Sequence, residues 1–181
     1  MADLAEIIVI AGPNGAGKTT FAKQYLAQLE PSMPFVNADL IAAGIAPLSP
    51  ASAALLAGRL MLEEMGRLVQ QKKSFAFETT LAGIGYAKKL SSWSALGYTI
   101  RLVFLTLPDE QYAVDRVRAR VTQGGHDIPE AVIRRRFKAG HRNFERVYKA
   151  LADAWYVVDA NDTFKVILSG GRGSNDRRKA I

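Results

Sequence analysis

Eight residues near the start of the chain, Gly12-Pro13-Asn14-Gly15-Ala16-Gly17-Lys18-Thr19, constrain its fold more than any other feature. They match G-x-x-x-x-G-K-[ST], and they stand between an apolar run, Ile7 to Ala11, and a segment of helical period, Gly17 to Leu29. Strand, glycine-rich turn and helix are the context in which that pattern works. The glycines let successive backbone N–H groups turn inward around a phosphate, and the helix N-terminus adds about half a positive charge. Lys18 then reaches between β- and γ-phosphates, and the Thr19 hydroxyl is the expected ligand of Mg²⁺. The predicted nucleotide loop runs Gly12, Pro13, Asn14, Gly15, Ala16, Gly17, Lys18, Thr19, Thr20.

The remainder alternates short apolar runs with longer segments of helical period, the mark of an α/β domain with a mainly parallel sheet. Five to six strands are expected: Ile7 to Ala11, Phe35 to Asn37, Ser74 to Phe77, Thr99 to Leu105, Trp155 to Val158 and Phe164 to Leu168. Helices are expected over Gly17 to Leu29, Ala51 to Gln70, up to Leu96, from Pro108 to Val121, and from Glu130 onward. In the last, Ile133, Phe137, Gly140, Phe144, Val147 and Leu151 recur at spacings of three and four, so one long helix should pack this stripe on the core. Between the final two predicted helices, residues 122–129 combine paired glycines with Pro129 and read as a mobile lid. One domain, 1–169, followed by a basic disordered tail, 170–181, accounts for the 181 residues.

Composition narrows the chemistry. The chain has no cysteine and two histidines, which excludes thiolate nucleophiles and argues against a dedicated transition-metal site. No apolar stretch approaches the ~20 residues needed to span a bilayer, and the first ten residues carry acids rather than a basic leader, so a cytoplasmic protein without membrane contact is expected. The net charge of +7 is concentrated between Arg116 and Lys149 and in the tail, which suggests an anionic partner. No N-K-x-D motif for reading guanine is present, and the chain is small for a motor ATPase.

A small-molecule kinase also needs an acid to act on the acceptor hydroxyl and mobile cations over the transferring phosphoryl group. Asp39 and Glu78 each follow a predicted strand at the end where α/β sheets bind ligands. Asp39 is the candidate base, or else a cap for the segment starting at Leu40. Glu78 is suited to hold acceptor hydroxyls or Mg-bound water, with Thr79 or Thr80 capping the next helix. Arg116 and Arg120 lie four apart on one helical face before the lid, facing either the nucleotide or solvent. Beyond the lid, Arg134 and Arg136 flank the apolar stripe and Arg134 is the favoured functional cation, while Arg135, Lys138, Arg142 and Arg146 fall on the opposite face, which reads as solvation or nonspecific anion attraction. His126 either stands in for a lid cation or hydrogen-bonds the loop.

The nucleotide loop together with Asn37-Ala38-Asp39, Phe75-Ala76-Phe77-Glu78-Thr79-Thr80-Leu81 and the run from Arg116-Val117 through Gly124-Gly125-His126-Asp127-Ile128-Pro129 resembles the zeta-toxin-like P-loop kinases almost end to end. The resemblance implies a P-loop phosphotransferase using ATP and Mg²⁺, with Asp39 as base, Glu78 and Thr79 in the acceptor pocket, and lid arginines on the γ-phosphate. It further implies UDP-N-acetylglucosamine as the leading acceptor and an antitoxin as a possible partner. The charge of the C-terminal third leaves two other functions open: a nucleic-acid end kinase, or a nucleotide-dependent module binding nucleic acid through its basic tail.

Overall fold

A computed structural model describes residues 5–30, 32–125, 127–161 and 163–172. Six strands form one sheet: β1 (Glu6–Ala11), β2 (Phe35–Val36), β3 (Phe75–Thr79), β4 (Thr99–Thr106), β5 (Ala154–Asp159) and β6 (Lys165–Gly170). Their order is β2-β3-β1-β4-β5-β6, parallel except for β6, which returns antiparallel along β5. The expected α/β, mainly parallel architecture is therefore what the chain adopts. Among the described residues no single helix is long and apolar enough to cross a membrane.

The helices are α1 (Lys18–Leu29), α2 (Ala38–Ile45), α3 (Ala54–Gln70, entered through a 3₁₀ turn at Pro50–Ala53), α4 (Gly85–Ala95), α5 (Glu110–Thr122) and α6 (Glu130–Asn143). They cover both sheet faces, which is why the central strands are continuous apolar runs. On β1, Ile7, Val9 and Ala11 join a layer with Met61, Met65 and Leu68 of α3 and Leu90 and Trp93 of α4. Ile8 and Ile10 point to the other layer, against Phe21 and Tyr25 of α1 and Ala113, Val114 and Val117 of α5.

The structure corrects two local expectations and adds two details. A helix, α2, occupies Ala38–Ile45, a segment to which the sequence assigned no element, because the Asn37 side chain accepts from the Asp39 and Leu40 amides and starts it. Thr79 and Thr80 do not cap α4: their hydroxyls accept from the Leu81 and Ala82 amides two residues on, forming tight turns well ahead of Gly85. The long C-terminal helix stops at Asn143 and widens into a π turn at Phe144–Tyr148. Gly170 ends β6, one residue into the expected tail, and the Arg172 guanidinium donates to the Ala150 carbonyl. Residues 173–181 of that tail lie outside the described residues.

The break in the last helix lets it change layers. Ile133 and Phe137 pack with α1 and α5, whereas Phe144, Val147, Tyr148 and Leu151 pack with α3 and α4. Between them α6 passes over the carboxyl ends of β3 and β4. A Cβ on Gly140 would sit 2.5 Å from the Thr80 carbonyl oxygen, the Asn143 amide donates to the Leu81 carbonyl at 2.8 Å, and His141 meets the Thr106 hydroxyl at 3.1 Å. The turn that follows Glu78 is thus clamped by α6, with Tyr148 donating to the Gly83 carbonyl at 2.8 Å as a further anchor.

Candidate active site

The loop between β1 and α1 lies at the carboxyl edge of the sheet, where β1 separates β3 from β4. Gly15 takes φ +81, and a Cβ there would meet the Ala113 carbonyl of α5 at 2.9 Å and the Arg116 Cβ at 3.1 Å. Only glycine allows this approach, and it brings Arg116 against the loop. Gly17 caps α1 in the left-handed conformation with no side-chain hydrogen bond, and the first turn carries no acid. The first-turn amides of Lys18, Thr19 and Thr20 therefore keep the unsatisfied donors and positive end of the helix dipole for an anion.

Lys18 is 7% exposed and donates to the Pro13 carbonyl at 2.9 Å, with a Glu78 carboxylate oxygen 3.8 Å away. The other Glu78 oxygen accepts from the Thr19 hydroxyl at 2.7 Å and from the Asn37 amide at 2.7 Å. Glu78 is brought to this point by the parallel pairing of β3 with β1, in which Ile10 faces Glu78. Asn37 is a site residue that sequence reasoning passed over: its oxygen starts α2 while its nitrogen holds Glu78. The available signal was an Asn immediately after a strand and two residues before the candidate base.

Asp39 is exposed in the first turn of α2. Since Asn37 does the capping, the Asp39 carboxylate is spared that duty, and it makes no hydrogen bond or ion pair among the described residues. Its charge reaches Lys18. Burial pushes the Lys18 ammonium below its ordinary 10.5, the Glu78 and Asp39 carboxylates push it back up, and the Arg120 and Arg136 guanidinium groups push it down again. Lys18 thus sits between two acids and two cations.

That balance has a measurable consequence. A depressed lysine pKa means that the folded state holds fewer protons than the unfolded one, so this group's contribution to stability grows as pH rises toward 10.5. Phosphates placed beside Lys18 reverse the shift. Nucleotide binding is expected to take up protons at pH values below 10.5 at which the unliganded lysine has lost its own, measured as buffer-dependent binding enthalpy, and Lys18→Met should abolish the uptake.

The arginines separate into distinct environments. Arg116 donates to the Ala160 carbonyl at 3.1 Å, with one guanidinium nitrogen 3.8 Å from where a Gly17 Cβ would lie. The charges of Arg120 and Arg136 both act on Lys18. Arg134 points away from it. Its guanidinium is held by Glu130 at 2.7 Å and Glu110 at 3.4 Å and donates to Gln111, so the cation favoured from the sequence belongs to an ion-pair cluster between α5 and α6. Arg136, on the other flank of the stripe, is half-buried, without an ion pair among the described residues, and near enough to Lys18 for its charge to act on it. Gly124 and Gly125 occupy the predicted lid, while His126 lies outside the described residues.

A family model described as AAA domain (AAA_33) matches residues 7–147. An uncharacterized protein of Haemophilus influenzae is 28% identical over 132 residues, which span 72% of this chain and 91% of that protein. Among solved structures, one from the PezAT chromosomal toxin-antitoxin system of Streptococcus pneumoniae superposes with a TM-score of 0.70 at 15% identity, over 93% of this chain and 72% of that one. The AvrRxo1-ORF1:-ORF2 structure with ATP gives 0.76 at 15% identity, over 96% of this chain and 60% of that one. A gluconokinase from Sinorhizobium meliloti gives 0.54 at 17% identity, over 87% and 83%.

Proposed function

The chain belongs to the AAA_33 family of AAA domains and has the fold of the zeta-toxin-like P-loop kinases that its motifs resemble, and from that footing we propose that it transfers the γ-phosphoryl group of ATP to a small-molecule hydroxyl. The observation that carries this reading is the unengaged Asp39 carboxylate placed across from Lys18, on a cleft whose other acid, Glu78, is already bound to Thr19 and Asn37. Two carboxylates in unlike surroundings suit two unlike tasks.

The loop amides and Lys18 hold the β- and γ-phosphates. The Thr19 hydroxyl and the Glu78 carboxylate, 2.7 Å apart, fit Mg²⁺, which takes one or two protein oxygens and completes its shell with phosphate and water. Bound there, Mg²⁺ would neutralise charge at the transferring group, with Thr19 as ligand and Glu78 orienting metal-bound water. Glu78 thereby moves from the acceptor pocket to the metal side, leaving Asp39, with Thr79 nearby in sequence to Glu78, toward the acceptor. Asp39 takes the hydroxyl proton. Arg120 and Arg136 close over the γ-phosphate, Arg116 braces the loop, and residues 122–129 act as the lid between them.

For the acceptor we infer UDP-N-acetylglucosamine, on the motif resemblance, and an antitoxin as partner, on the toxin-antitoxin origin of a structural neighbour. The test is transfer of label from ATP with Mg²⁺ to UDP-N-acetylglucosamine, other sugar nucleotides, gluconate and oligonucleotides. Labelling of the sugar nucleotide is expected. Labelling of another small acceptor keeps the chemistry and moves the substrate, and nucleotide binding without transfer to any of them overturns the kinase reading.

A further inference from the structure

Six of the basic residues in the chain lie between Arg134 and Arg146, and the structure divides them by task. Arg134 and Lys138 are neutralised by Glu130 and Glu110, with Lys138 3.2 Å from Glu110, and Arg136 lies near enough to Lys18 for its charge to act on it. Arg135, Arg142 and Arg146 remain. All three are exposed, and among the described residues none of them makes an ion pair. Seven and four residues apart, they fall on one face of α6 and its π-turn extension, over about 16 Å.

The surroundings keep this stripe positive. Glu145, the acid adjoining Arg146 in sequence, has both oxygens 2.8 Å from Lys149, which itself lies over the Trp155 ring at 4.3 Å. At the far end, Arg172 arrives from β6 and holds the carbonyl of Ala150, four residues beyond Arg146, adding a fourth guanidinium. A row of exposed cations without counterions on one helix face makes a local positive field that attracts an anion of matching length.

We propose that the outer face of α6 is a docking surface for the phosphate backbone of duplex nucleic acid, anchored by Arg135, Arg142 and Arg146. Guanidinium forks match phosphate oxygens in pairs, and the stripe covers about five phosphate steps of one strand. The duplex is favoured over single strands because the stripe exposes no aromatic ring on which bases could stack. It is favoured over a lipid surface because the side chains between the arginines include Ala139 rather than large aliphatics, whereas the exposed leucines, such as Leu48 and Leu55, belong to the α2–α3 segment. Binding of this kind reads charge rather than sequence. It lies opposite the buried Ile133 and Phe137 and about a third of a turn round α6 from Arg136, so the stripe uses none of the residues assigned to phosphotransfer.

The experiment is fluorescence anisotropy with labelled 20-base-pair duplexes of DNA and of RNA across a salt series. The full chain is compared with the R135Q/R142Q/R146Q and R135K/R142K/R146K variants. Vesicles containing phosphatidylserine and a polyglutamate peptide serve as other anions. Binding in the range of about 10⁻⁴ to 10⁻⁶ M is expected, with the glutamine variant reducing the slope of log K against log salt by about 2 to 3 and the lysine variant restoring most of it. Nucleotide binding and melting temperature should be equal in all three proteins. Absence of duplex binding at 50 mM salt, an unchanged slope in the glutamine variant, or arginine-dependent binding confined to vesicles or polyglutamate would overturn the proposal.

Discussion

Asp39→Asn is expected to lower kcat for phosphoryl transfer by about 10² to 10⁴ while leaving the KM for ATP within about twofold. The asymmetry follows from where the residue sits. The Asp39 carboxylate does not cap its own helix, because the Asn37 oxygen receives the Asp39 and Leu40 amides, and it adds only the modest dipole stabilisation of an exposed first-turn acid. It contributes nothing to the loop's hydrogen bonds either, since Lys18 and Thr19 are engaged by Pro13 and Glu78. An asparagine keeps the shape and loses the ability to accept a proton together with a charge that acts on Lys18 without touching it. Asn37→Ala should behave differently: it removes a helix cap worth about 0.5 to 2 kcal/mol and frees Glu78, so it should reduce both stability and metal-dependent nucleotide binding. A pH profile of kcat/KM that loses its acidic limb in Asp39→Asn would identify the base, and equal turnover in the two proteins would remove Asp39 from that role.

This division of labour between Asn37 and Asp39 shows what a sequence carries and what it leaves to packing. The nucleotide loop was legible because its chemistry is local: strand, glycine turn and helix follow one another without a break. The central strands were legible because burial on both faces makes them continuous apolar runs. Helix α2 was not, since Leu40 to Ile45 is apolar and small throughout, with no alternation of polar positions to mark a helical face before Pro47. Nor was the antiparallel return of β6, because the turn between β5 and β6 holds Thr163 and Phe164 at φ 45 and 58 without a glycine to announce it. The π turn after Asn143 was hidden for a related reason: the apolar stripe keeps its spacing straight through it, although its two halves serve opposite sides of the sheet.

The clearest case concerns Arg134 and Arg136. On a helical wheel they flank Ile133 and Phe137 on opposite sides, and periodicity assigns neither of them to the cleft. The direction in which α6 crosses the sheet decides it, and that direction is set by distant contacts, Gly140 against Thr80 and Asn143 on Leu81. Crossing this way brings Arg136 within reach of the Lys18 charge and Arg134 to the acids of α5 and α6.

Arg136→Ala is accordingly expected to lower kcat by about 10³ or more, the scale on which an arginine over a transferring phosphoryl group acts. Arg134→Ala, one turn-face away, should leave kcat within a few-fold. Arg136 has no counter-ion among the described residues, and its field already disfavours the charge on Lys18, so the unliganded site carries cations that only an anion can reconcile. Charge growing on the γ-phosphoryl oxygens during transfer is the anion best placed to do so, which puts the effect on kcat more than on ATP affinity. The Lys18 proton provides an independent reading. Removing Arg136 takes away one of the cations that depress it, so proton uptake on nucleotide binding should shrink in Arg136→Ala and stay unchanged in Arg134→Ala. Loss of turnover with undiminished uptake would mean that Arg136 acts by holding α6 in place, and equal kinetics in the two alanine variants would return the cleft to Arg116 and Arg120 alone.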